Sequence, residues 1–231
     1  MQNVGTVDFG GILIRAIDVI GTNALVGCRN GNIYQVDLNT QSKQVIMESH
    51  SDGEVWGLAI VDQDTVVTTG DDNQIKAWSV SKRQCVSRGI VSSLKNKVKR
   101  GGASSLTQFP DSQCARAIAY CPQNGHIAVG HNDGTLTVRE SVANLDSVIA
   151  TNNNAKEWIE DIEFSPDGSK LAVGSHDNKI YIYSTSSYEL IGKCTKHNSF
   201  IVSVDWSADG QFIRSVCGAH ELLFFNGESY E

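Results

Sequence analysis

The sequence predicts an all-β fold, a radial array of about five repeated antiparallel sheets forming a β-propeller. Three observations predict it. Short runs rich in Ile, Val, Phe and Tyr, which pack well on a pleated surface, are separated by tight turns. A turn signal begins at Asn30, Asp72, Asp133, Asp177 and Ala219, in steps of 42, 61, 44 and 42 residues. A propeller blade takes about 40–45 residues. Each signal is followed by a short apolar run, IYQV, IKAW, LTV, IYIY and LLFF, which places third strands near 33–36, 75–78, 135–138, 180–183 and 222–225.

The blades, in chain order, fall near residues 12–48, 54–90, 114–150, 158–195 and 200–231. The fourth shows the grammar most fully. Trp158–Phe164, Lys170–Ser175 and Ile180–Tyr183 read as three strands, and Glu189–Cys194 as a fourth. Between the first two, Ser165-Pro166-Asp167-Gly168 is a turn, because Pro presets φ and Gly accepts positive φ. It recurs as Ser207-Ala208-Asp209-Gly210, and more loosely as Cys121-Pro122-Gln123-Asn124-Gly125. The one long step carries roughly 19 extra residues. They lie in Ser92–Ser112, a polar, Gly-rich and basic insertion with little apolar area to offset the entropy of ordering it. Limited proteolysis is expected to cut there first; first cuts within Leu171–Tyr183 would contradict this.

The second blade carries the pattern of a WD-type repeat. Trp78 lies six residues after Asp72, and His50 lies 22 before it. His, a strand Ser or Thr, Asp and Trp can form a buried relay of hydrogen bonds, tolerated only when every member is satisfied. Elsewhere the pattern is degraded. Tyr183 and Phe225 stand in for Trp, and Asn30 and Ala219 for Asp. His197 keeps its place 22 residues before Ala219 but has no Asp to meet there. The sequence therefore predicts a full relay, with His50, Asp72 and Trp78 in structural roles, in the second blade alone, and a turn role for Asp177.

The chain has 231 residues, 40% of them hydrophobic, and a formal net charge of −7. That balance argues against nucleic acid as a partner. No apolar run reaches membrane-spanning length, so no membrane insertion is expected. The first residues show no signal-peptide pattern. Six cysteines without a CxxC pair fit small hydrophobes in a reducing compartment. With 3 prolines and no linker-like stretch, one domain is expected. Five blades could close a small ring, or form part of a larger seven-blade-like ring with an exposed strand edge and apolar flank.

Several stretches resemble the echinoderm microtubule-associated protein family. They are Ala24-Leu25-Val26-Gly27 with Arg29-Asn30-Gly31, SHSDGEVWGLA (49–59), HIAVGHNDG (126–134), LAVGSHDNKIYIY (171–183) and GKCTKHNSFIVSVDWSADGQFIRSVCGAHELLFF (192–225). The last two are the most distinctive. The resemblance covers nearly all of the chain outside the insertion. It implies the second propeller of a tandem pair, with about two further blades following this run. It also implies a cytoplasmic, cytoskeletal protein associated with microtubules or tubulin. The family's N-terminal coiled coil and the hydrophobic motif opening its first propeller do not match here. It offers no catalytic or metal residues to carry over. The alternative is a general WD-repeat scaffold for a partner other than tubulin.

The residues give chemistry little support. There is no HExxH, no spaced Cys/His set, no GxSxG elbow and no GxGxxG opening a helix. Asp71-Asp72-Asn73 does not continue as a calcium loop. His176-Asp177 and His131 fall on turns, where adjacency alone makes no acid–base pair. We therefore expect no enzyme, no cofactor and no metal. Propellers bind through loops at the blade ends. The residues just before the turn positions, Arg29, Asp71, Asn132, His176 and Gly218, should form an arc on one face, with Arg116 and Glu160 beside them. Their mixed charge suits a protein partner. Lys95, Lys97, Lys99 and Arg100 offer a basic patch for an acidic surface such as that of tubulin; with Phe109 as its one aromatic, that loop suits nucleic acid poorly.

Overall fold

The computed structural model describes residues 5–50, 54–91 and 114–231. Five antiparallel sheets follow one another along the chain, each an up-and-down meander. Blade 1 comprises β1 (Ile14–Ile20), β2 (Asn23–Cys28), β3 (Ile33–Asp37) and β4 (Lys43–Met47). Blade 2 comprises β5 (Val55–Ile60), β6 (Thr65–Gly70), β7 (Gln74–Ser79) and β8 (Gln84–Ile90). Blade 3 comprises β9 (Ala115–Tyr120), β10 (Ile127–His131), β11 (Leu136–Ser141) and β12 (Asn144–Asn152). Blade 4 has β13 (Ile159–Phe164), β14 (Lys170–Ser175), β15 (Ile180–Ser184) and β16 (Leu190–Cys194); blade 5 has β17 (Ile201–Trp206), β18 (Phe212–Cys217) and β19 (Leu222–Asn226). The third strands fall where the repeated apolar runs place them. No helix among the described residues is long and apolar enough to cross a membrane.

The first strands of blades 2 to 5 lie side by side. Apolar clusters fill the seams between neighbouring blades: Val67, Ile75 and Ile118 between 2 and 3; Val138, Ile162 and Tyr183 between 3 and 4; Ile182, Val204 and Phe225 between 4 and 5. Glycine explains how the seams close. A Cβ on Gly130 would lie 2.3 Å from Ile159 Cγ2, and one on Gly174 would lie 2.6 Å from Ile201 Cγ2. Each fully buried Ile of the next blade's first strand thus sits directly over backbone. This is the packing content of the repeated Ala-Val-Gly. Blade 1 is less enclosed: every residue of β1 is exposed, including Ile14, Ile17, Val19 and Ile20.

The turn between second and third strands also repeats in backbone detail. Its third residue has positive φ in every blade: Gly31, Asn73, Gly134, Asn178 and His220, at 79°, 58°, 81°, 68° and 62°. Gly and Asn tolerate that region at least cost, which accounts for four of the five choices.

A candidate protein-binding face

One end of the sheets collects three residues from each blade. The turn residue donates its N–H to the carbonyl of a residue just before the first strand: Arg29 to Leu13, Asp71 to Glu54, Asn132 to Cys114, His176 to Trp158 and Gly218 to Phe200, at 2.8–3.0 Å. This contact makes the five turn positions equivalent in space. The third contribution comes from a β-bulge. The ladders skip one residue near the start of each first strand: Arg15, Trp56, Arg116, Glu160 and Val202. A bulge leaves its residue out of the pairing and re-aims the side chain, here onto the loop face.

Across blades 2 to 5 these positions build a continuous stack. The Arg116 guanidinium lies over the Trp56 ring at 4.1 Å and over the Trp158 ring at 4.6 Å. Trp158 stacks on His176 at 5.4 Å, and His176 meets Phe200 at 4.8 Å. Carboxylates hold the stack in place. Asp71 accepts from Trp56 Nε1 and from the Glu54 N–H, both at 3.0 Å, and lies 3.6 Å from Arg116 Nη2. Glu160 Oε2 is 3.0 Å from His176 Nε2. At the far end Gly218 lets the Phe200 ring lie directly against the turn, where a Cβ would come within 2.4 Å of it. Trp56, Trp158 and Phe200 still keep 44%, 40% and 42% of their surface exposed. Large aromatic area is therefore held rigid and open to solvent, the composition that dominates binding hot spots.

The structure thus brings Asp71, Arg116, Glu160 and His176 together. Asn132 lies in the same arc, its Oδ1 accepting from the Cys114 N–H at 2.9 Å. Arg29 is exposed at the equivalent place in blade 1. Lys95, Lys97, Lys99 and Arg100 lie outside the described residues. Residue-by-residue reading missed Trp56, Trp158 and Phe200. Their signal was positional: each adjoins or opens a first strand at the same end as the arc.

The polar interior holds a full relay in blade 2. Trp78 Nε1 donates to Thr68 Oγ1 at 2.7 Å, Thr68 Oγ1 lies 2.7 Å from His50 Nε2, and His50 Nδ1 lies 2.9 Å from Asp72 Oδ1. In blade 4, Val173 replaces the Thr, and Asp177 Oδ2 instead accepts from the Tyr181 hydroxyl and the Lys156 N–H. The fold gives three further histidines their partners. His131 is fully buried, in a structural role, and bonds Thr137 Oγ1 at 3.0 Å; burial pushes its pKa down to about 4, so it is neutral. His126, which has no partner nearby in sequence, bonds the Tyr188 hydroxyl at 2.7 Å. His197 does face a carboxylate, that of Glu221, at 3.8 Å. All six cysteines are free thiols.

The family profile for the "Echinoderm microtubule-associated protein second beta-propeller" matches residues 55–231. The chain belongs to this family. Among relatives of the echinoderm microtubule-associated protein type, the human echinoderm microtubule-associated protein-like 3 is 32% identical over 92% of the chain and 22% of its own length. The 77 kDa echinoderm microtubule-associated protein of Strongylocentrotus purpuratus is 31% identical over 78% of the chain and 24% of its own length. The "Ciliary WD repeat-containing protein ctxp80" of Euplotoides octocarinatus is 51% identical over 98% of the chain and 31% of its own length. The chain therefore spans less than a third of these curated relatives. As an echinoderm microtubule-associated protein-type propeller segment, it is a non-catalytic scaffold for protein interaction.

Proposed function

We propose that residues 1–231 form a partial propeller that serves as the protein-binding module of a microtubule-associated, tubulin-binding scaffold in the cytoplasm and cytoskeleton. The observation that carries the reading is the Trp56–Arg116–Trp158–His176–Phe200 stack. It spans four blades and presents exposed aromatic rings on a fixed frame. The family supplies the partner class. The name of the ciliary relative supports a ciliary setting for this module. In this reading Arg29 and Asn132 extend the contact arc, and the basic run Lys95, Lys97, Lys99 and Arg100 speeds encounter with an acidic surface rather than fixing affinity.

Co-sedimentation of this chain with microtubules at low and at physiological salt tests the proposal. The expected result is weak binding at low salt that falls as salt rises, because exposed charges are screened and individually contribute little. No pelleting with microtubules at low salt would remove tubulin as this segment's own partner. It would favour the alternative, a scaffold for another protein, which the chain's net charge of −7 independently suits.

A further inference from the structure

Blade 5 repeats the relay of blade 2 with one piece missing, and the gap is lined by metal-ligating atoms. His197 Nε2 lies 2.7 Å from Ser215 Oγ, as His50 does from Thr68. In blade 2 the other ring nitrogen meets Asp72. In blade 5 the turn position is Ala219, and His197 Nδ1, in a fully buried side chain, has no hydrogen-bond partner. A buried, unpaired ring nitrogen is costly unless something occupies the space it faces. What it faces is Cys217 Sγ and Glu221 Oε2; the three donor atoms lie within 4.8 Å of one another.

We propose that His197, Cys217 and Glu221 form a binding site for one divalent transition-metal ion, best suited to zinc. Tetrahedral zinc holds N, S and O donors at about 2.0–2.3 Å, which sets donor–donor separations near 3.3–3.8 Å. Cys217 Sγ is already 3.4 Å from Glu221 Oε2, and His197 Nδ1 is 3.8 Å from that oxygen. The surroundings orient each ligand. With Nε2–H donating to Ser215 Oγ, the Nδ1 lone pair is left for the ion, and burial disfavours protonation of the ring. Asn198 donates its Nδ2 to Glu221 Oε1 at 3.0 Å and its N–H to Oε2 at 3.4 Å, which fixes the carboxyl beside Cys217 Sγ and holds it below its usual range. Cys217 is buried, while the Glu221 side chain is 35% exposed, so the ion enters, and water completes its shell, from the Glu221 side. Binding releases the thiol proton of Cys217 to solvent as the metal–sulfur bond forms. A mixed N/S/O set favours zinc over calcium or magnesium, which take oxygen.

The consequence is mechanical. The ion staples the segment before β17 to the end of β18. Those segments carry Phe200 and Gly218, the end of the aromatic stack. The site stands independently of the partner proposed above.

Metal-free protein titrated with Zn²⁺ by calorimetry should bind one equivalent and gain thermal stability. Co²⁺ should give a thiolate-to-metal absorption band. Glu221→Gln, an isosteric change at a half-buried turn position, and Cys217→Ser should each weaken Zn²⁺ binding at least about tenfold and abolish the thermal gain. Cys217→Ser should also remove the cobalt band, and Cys85→Ser, on another blade, should change nothing. Absence of a stoichiometric site, or a site that keeps its affinity in both variants, would overturn the proposal.

Discussion

Asp72→Ala is expected to destabilise the chain by about 1–3 kcal/mol, the cost of orphaning a buried hydrogen-bond partner. The Asp72 and His50 side chains are 2% and 5% exposed. In the relay every member is paired. Trp78 donates to Thr68, the Thr68 hydroxyl donates to His50 Nε2, and His50 Nδ1–H donates to Asp72, which also accepts from the Gln74 N–H. Removing the carboxylate leaves the largely buried His50 donor without its acceptor. Asp177→Ala, at the matching position of blade 4, should cost less. One oxygen of Asp177 is already buried without a partner, so its loss also removes an existing penalty. Its removal frees two donors, the exposed Lys156 N–H, which can turn to water, and the hydroxyl of the buried Tyr181, which loses a single link rather than a place in a connected relay. Urea unfolding of the two variants compares them; equal shifts in midpoint would reject a special role for the complete relay.

The blades were legible because their information is local. Alternating apolar residues and a turn that needs positive φ leave a signature within about ten residues, and the signature repeats. Even the glycine of Ala-Val-Gly was visible, although its reason, an isoleucine from the next blade, was not. The binding face was legible only in outline. Equivalent positions in successive repeats placed Asp71, His176 and their neighbours on one arc. The stack itself depends on which side chain each bulge turns outward. The bulged residues are Arg15, Trp56, Arg116, Glu160 and Val202, four residue types among five positions, so no motif marks them. Arg116 meets Trp56 and Trp158 only after three blades have docked in register. His197 hid for a related reason. The missing Asp at position 219 was plain, but the strand geometry that brings Cys217 and Glu221 to the empty nitrogen was not.

Replacing both Trp56 and Trp158 by Ala should reduce microtubule binding by about tenfold or more, with the effect in the dissociation rate. Truncating a central aromatic of a binding face costs about 2 kcal/mol or more, and changes within one interface act mostly on dissociation. Both rings keep their outer surface exposed, so their removal spares the buried seams between blades. It also leaves Arg116 without its two flanking rings, and a mobile guanidinium is a poorer contact than a clamped one. Neutralising Lys95, Lys97, Lys99 and Arg100 to Gln should behave differently. Charges acting through solvent govern encounter, so the association rate and its salt dependence should fall while dissociation stays nearly constant. Surface-immobilised microtubules, with both variants measured at two salt concentrations, separate the two rates. If the loop variant alone lost binding and the double Trp variant kept it, the aromatic stack would be a structural brace between blades, and the contact would belong to the insertion.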